Sequence, residues 1–207
     1  MRSRRHPVPK LEFWYDFASS YSYLSAMRIE AAAEKAGIDV IYRPFLLGPI
    51  FKAQGWTTSP FNLFPAKGQY MVRDIARVAS ARGLPFRMPQ AFPANGLQAA
   101  RVALAGETEG WIAPFTHSVF EAEFGEKRDI ADAAVLASAL QRIGVDAEAA
   151  LARSTTPEIK DRLRAQSEAA SARGIFGAPT FITEDGELFW GDDRLDQAIG
   201  WTVHKGQ

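Results

Sequence analysis

The residues with the best claim to chemistry are the serines Ser19, Ser20 and Ser22, which lie between two different hydrophobic periods. Before them, Leu11-Glu12-Phe13-Trp14-Tyr15 is an aromatic, apolar run fit for a buried strand. After them, Leu24, Met27 and Ala31 recur at the three-to-four spacing of a helix face. A strand that feeds a helix through a short polar turn leaves unpaired backbone N–H groups at the helix start. The aligned peptide dipoles add partial positive charge there. Such a turn suits an anion, whether phosphate, carboxylate or thiolate. The plainer role for Ser19 or Ser20 is an N-cap that accepts a hydrogen bond from the first turn.

Composition narrows the chemistry. The 24 lysines and arginines equal the 24 aspartates and glutamates, so no global field recruits nucleic acid or an anionic membrane. There are no cysteines, which removes disulfides, thiolate metal sites and any protein thiol nucleophile. If sulfur takes part, it arrives on a ligand. The histidines His6, His117 and His204 are dispersed without metal-ligand spacing. No apolar stretch approaches membrane-spanning length, and the basic start from Arg2 to Lys10 lacks the apolar run of a signal peptide. These features lead us to expect a cytoplasmic protein with a loose N-terminal tail.

The elements that must position the serines follow from pattern and punctuation. A first helix is expected from about Ser20 to Lys35, stopped by Gly37. Ile38 to Arg43 then alternates as a strand, which completes a β-α-β unit. From Phe45 to Pro65 the sequence is loop-like and aromatic. Helices are expected around Met71–Ala79, Leu97–Ala105 and Pro114–Glu123, after Asp129 as a cap, after Asp146, and from Pro157 to Arg173. Prolines 85, 89 and 93 keep Leu84 to Asn95 extended. Strand character returns at Thr180–Thr183 and Glu187–Trp190, flanking the hairpin signal Glu184-Asp185-Gly186. A last helix begins near Gly191 and is expected to reach about Ile199 or Trp201. At 207 residues this is one domain of ordinary size, or a small domain carrying a large insertion.

The order β-α-β, helical block, β-β-α resembles an α/β thioredoxin-like fold with an all-helical insertion. Residues 11–44 and 175–203 would then form a discontinuous thioredoxin-like domain, 45–174 the insertion and 1–10 the tail. Three segments make the resemblance specific. Asp16-Phe17-Ala18-Ser19-Ser20-Tyr21-Ser22-Tyr23-Leu24 is similar to the Asp-x-x-Ser-Pro-x-Ser opening of the 2-hydroxychromene-2-carboxylate isomerases and kappa-class glutathione transferases, which share a DsbA-like thioredoxin fold. Phe176-Gly177-Ala178-Pro179-Thr180 resembles that family's proline segment. Phe189-Trp190-Gly191-Asp192-Asp193-Arg194-Leu195 resembles its Trp/Phe-Gly-x-Asp-Arg ending. A weaker likeness covers Pro65 to Met71. Ser20 replaces the proline that usually follows the family's serine.

The resemblance implies a glutathione cofactor, a cis peptide at Pro179 and a small aromatic or conjugated acid as substrate. It implies neither nucleic acid nor membrane as partner, and it carries the expectation of a homodimer. Ser19 aligns with the family's catalytic serine and would donate a hydrogen bond to the cofactor's sulfur. Ala178, ahead of Pro179, would offer its backbone to the cysteinyl part. Asp192 and Asp193 align with the γ-glutamyl site, although either could instead cap the last helix. Lys67 aligns with a basic residue that could reach a ligand carboxylate, and Trp56, Phe61 and Phe64 could wall an aromatic pocket. Asn95 could bind substrate or simply make a turn. The expected activity is isomerisation between 2-hydroxychromene-2-carboxylate and trans-o-hydroxybenzylidenepyruvate, in aromatic-hydrocarbon breakdown. A kappa-like transferase that conjugates an electrophile and a non-catalytic binding protein are the alternatives.

Overall fold

The computed structural model describes residues 8–205, so most of the expected N-terminal tail and His6 lie outside the described residues. Strand β1 (Lys10–Tyr15) leads through a short turn into helix α1 (Ser20–Ala36), which ends at a left-handed Gly37 with φ 68°. Strand β2 (Asp39–Pro44) returns parallel to β1, with Phe13 opposite Tyr42. After the helical segment, β3 (Thr180–Thr183) pairs antiparallel with β1, and β4 (Leu188–Trp190) pairs with β3. The sheet order is β2-β1-β3-β4.

The aromatic run of β1 explains why this strand is central. Its side chains alternate between the two faces of the sheet. Leu11, Phe13 and Tyr15 are fully buried in the large apolar cluster, whereas Trp14 packs in a second cluster with Phe45, Ile50, Ala170, Ile175 and Ile182. The Phe13 ring stacks on Tyr15 at 4.8 Å and on Phe181 of β3 at 5.7 Å. Each such side chain, fully buried, contributes about 1.5–3 kcal/mol. The large cluster runs without a break from the sheet into the helices between 45 and 174, through Phe115, Phe120, Phe124, Leu136 and Leu140.

Every regular element of that segment among the described residues is a helix, with 84–96 non-helical between them, but its first part differs from expectation. The loop-like stretch after Pro44 contains two short helices, α2 (Leu47–Ala53) and α3 (Pro60–Leu63). Neither has a side-chain cap. The one buried residue of α2, Ile50, docks into the smaller cluster, so packing rather than propensity orders this stretch. Helices α4 (Pro65–Ala81), α5 (Leu97–Ala105) and α6 (Ile112–Phe120) follow. A π-helical turn, Glu121–Gly125, extends α6. Next come α7 (Ala133–Arg142), α8 (Ala147–Ser154) and α9 (Pro157–Ala172).

The cap of α7 is Asp132, whose carboxylate accepts from Ala134 N at 2.8 Å, and not Asp129 as the sequence suggested. Asp129 accepts instead from Ala131 N, in the turn before the helix. Asp146 caps α8 as expected, and Thr156 caps α9 ahead of Pro157. The C-terminal helix is longer than expected, with a 3₁₀ turn at Asp192–Arg194 leading into α10 (Leu195–Lys205). The peptides Ala178–Pro179 and Phe92–Pro93 are both cis. None of the described helices is long and apolar enough to cross a membrane.

Candidate functional site

The parallel strands β1 and β2 end at Tyr15 and Pro44. The antiparallel geometry brings Thr180, at the start of β3, beside Trp190, at the end of β4. The serine turn, the Ala178–Pro179 peptide and the Gly191–Arg194 turn therefore meet at one end of the sheet.

Ser19 occupies the N-cap of α1 with extended backbone, φ −98° and ψ 111°. Its Oγ accepts from the backbone N–H of Ser22 at 3.2 Å and donates to the Ala178 carbonyl at 3.0 Å. The capping role and the facing of Pro179's loop are thus held by one hydroxyl. The N–H groups of Ser20 and Tyr21, first in the helix, have no acceptor within it. The Ser20 hydroxyl makes no hydrogen bond among the described residues, and that of Ser22 is buried without a partner.

Asp16 fastens this turn from below. One carboxylate oxygen accepts from Ala18 N at 2.9 Å, the other from Leu47 N at 2.7 Å, and its carbonyl accepts from Ser19 N at 2.9 Å. Burial drives its pKa up, and the two N–H donors pull it back. Sequence reading passed over Asp16 except as part of a motif. A lone acid at the mouth of a serine turn was the available signal.

Opposite Ser19, the Ala178 N–H makes no hydrogen bond among the described residues, while the Pro179 carbonyl accepts from Gly191 N at 3.0 Å. A Cβ on Gly177 would overlap the Trp190 indole, so any larger residue here would displace that ring. Trp190 and Phe176 pack with ring centroids 4.9 Å apart and planes tilted by 57° beside this loop, both about half exposed.

The two aspartates separate sharply. Asp192 is buried and its carboxylate is fully engaged. It accepts from Arg82 at 2.6 and 3.1 Å, from Ser25 Oγ at 2.9 Å and from Arg28 Nε at 3.5 Å. Asp193 turns outward, its side chain 74 % exposed and paired, among the described residues, with Arg194 at 2.9 Å. The 3₁₀ turn that leads into the last helix has no side-chain cap. Asp193 lies close enough to Tyr21 to help raise that phenol's pKa, behind the larger effects of burial and the Asp74 carboxylate.

Lys67 is exposed on the first turn of α4. The expected aromatic wall is dispersed. Trp56 packs on Phe51 at 5.4 Å and Phe61 on Phe92 at 4.8 Å, while Phe64 is 51 % exposed. A groove of about 310 Å³ is lined by Phe61, Asn62, Pro65, Gly68, Gln69 and Val72. Asn95 accepts from Leu97 N at 3.1 Å, which makes it a turn residue. No cluster able to hold a metal ion exists among the described residues.

The donor set suits a thiol-bearing peptide. It offers a hydroxyl and helix N–H groups for sulfur, a free backbone N–H at Ala178 for a peptide carbonyl and an outward carboxylate at Asp193 for an ammonium. The sheet order, with the proline loop facing the start of the first helix, is that of a thioredoxin-like protein with serine at the helix start. The chain belongs to the DSBA-like thioredoxin domain family, whose model matches residues 10–199. It is 28 % identical over 188 residues to 2-hydroxychromene-2-carboxylate isomerase from Sphingobium xenophagum, covering 90 % of this chain and 94 % of that protein. It is also 28 % identical to human glutathione S-transferase kappa 1, covering 92 % and 89 %. A solved structure of 2-hydroxychromene-2-carboxylate isomerase superposes with a TM-score of 0.84 at 26 % identity, covering 95 % and 97 %.

Proposed function

We propose that this chain is a glutathione-dependent isomerase of the 2-hydroxychromene-2-carboxylate type, acting on a conjugated aromatic acid. The observation that carries this reading is the Ser19 hydroxyl at the N-terminus of α1, 3.0 Å from the carbonyl of Ala178. Relatives bearing the isomerase and kappa transferase names over nearly the whole chain add support.

Bound glutathione would supply a thiolate that adds reversibly to the conjugated substrate, permits rotation about the resulting single bond and leaves unchanged. The chain's part is to hold that sulfur ionised. A free thiol, with pKa about 8.5, is mostly protonated at neutral pH. The Ser19 hydroxyl turns from the Ala178 carbonyl to the sulfur, and the N–H groups of Ser20 and Tyr21 add the field of the helix end. The Ala178 backbone pairs with the cysteinyl residue, freed of its bond to Ser19. Asp193 receives the γ-glutamyl ammonium. Lys67 binds a carboxylate beside the groove at the start of α4. Ser19 is a hydrogen-bond donor and not a nucleophile, since no base contacts its hydroxyl among the described residues.

The test is to incubate the protein with 2-hydroxychromene-2-carboxylate and glutathione, following the substrate's ultraviolet spectrum and the free thiol together. A spectral change with all glutathione recovered supports the isomerase. A change with glutathione consumed favours a kappa-like transferase, and no change with either thiol state overturns both.

A further inference from the structure

Asp192 and Asp193 are adjacent and chemically identical, yet the fold treats them oppositely, and the cause lies in a residue of the helical segment. Arg82, just past the end of α4, closes a fork on the buried Asp192 carboxylate through Nη1 at 3.1 Å and Nη2 at 2.6 Å. Arg28 of α1 reaches the same residue from the other side, bonding the Asp192 carbonyl at 2.8 Å and Asp196 at 2.9 Å. Ser25 completes the set. A buried carboxylate held by two guanidinium groups and a hydroxyl has no freedom to rotate.

The turn is tied on its other side as well. Gly191 donates to the Pro179 carbonyl at 3.0 Å and adopts φ 108°, a conformation that suits glycine. Asp193 Oδ1 folds over Gly191, 2.6 Å from where a Cβ would stand. With Asp192 pulled inward and Gly191 pinned to the proline loop, the Asp193 carboxylate is left facing outward, its side chain 74 % exposed.

We infer that Arg82 is a positioning residue for the ammonium end of the thiol cofactor, acting through Asp192 to aim Asp193. This rests on the reading of the site as a glutathione site. Helix α4 then serves the ligand at both ends, with Lys67 in its first turn and Arg82 just beyond its last. The segment between the two halves of the sheet becomes part of the cofactor site without Arg82 touching the cofactor.

The experiment compares glutathione with cysteinylglycine, the same thiol without its γ-glutamyl group, by calorimetric titration of the full chain. Wild type should prefer glutathione. In Arg82→Met that preference should fall about tenfold, the factor a charge-assisted hydrogen bond carries, and Arg82→Lys should recover part of it. Should Arg82→Met unfold, Asp192→Asn combined with Arg82→Met removes the buried charge that has lost its closest partner, and the same fall is expected. Equal weakening of both thiols, or an unchanged preference, overturns the inference, because a merely structural role cannot discriminate between them. No preference in wild type overturns the underlying glutathione reading instead.

Discussion

The Ser19 hydroxyl and the Ala178 carbonyl, 159 positions apart in the chain, face each other at 3.0 Å. That contact joins the start of the first helix to the cis-proline loop, the two features the proposed chemistry needs in one place. The Ser19 hydroxyl donates its hydrogen to that backbone oxygen. A thiolate presented between them would compete for it.

Asp16 should matter for the turn's integrity. Its two carboxylate oxygens each hold a backbone N–H, from Ala18 and from Leu47. Asp16→Asn leaves one of those donors facing an amide NH₂, and should cost about 1–3 kcal/mol of stability by urea unfolding. A variant as stable as wild type would show that these bonds contribute nothing net.

Glu123 sets a pH dependence. Its carboxyl sits in the π-helical turn, 0 % exposed, with both oxygens unpartnered. Burial above all, and the nearby Asp16 and Asp129 carboxylates, raise its pKa well above the ordinary glutamate range. The neutral acid is therefore the form the fold accepts. The stability tied to that form is complete below the unfolded pKa of about 4.3 and is lost as pH rises toward and through the folded pKa. Glu123→Gln removes this dependence. Its stability advantage over wild type should grow from mildly acidic to alkaline pH, and a constant difference across that range would contradict the assignment.

Lys67 should act as a point charge on a ligand carboxylate. Lys67→Met is expected to raise the KM for the acid substrate or for glutathione about three- to tenfold, leaving kcat nearly unchanged. The effect should shrink with added salt. A fall in kcat at constant KM would assign this lysine a different role.

Where the signal was local, the sequence was readable. The switch from strand to helix period at Asp16, the stop at Gly37 and the Asp146 and Thr156 caps all depend on neighbours a few residues away. The same holds for the hairpin, where Gly186 has φ 87°. What escaped reading depends on distant partners. Helix α2 is placed by Ile50 docking against Trp14 and Phe45, and nothing in its own residues caps it. Asp129 and Asp132 are both competent caps, and the one directly before Ala133 takes the role. Asp192 cannot be told from Asp193 in sequence because its partners are Ser25, Arg28 and Arg82, each more than a hundred positions away. Glu123 gave no signal, since burial of an acid in a helical segment follows only from packing.

The most direct test of the central claim is the pH titration of glutathione's thiolate absorbance in the ultraviolet, when bound to wild type and to Ser19→Ala. The account predicts that the wild-type complex ionises well below the free-thiol value of about 8.5, and that the variant moves back toward it while still binding glutathione. Identical titrations in the two proteins, or a bound thiol no more acidic than the free one, would contradict it.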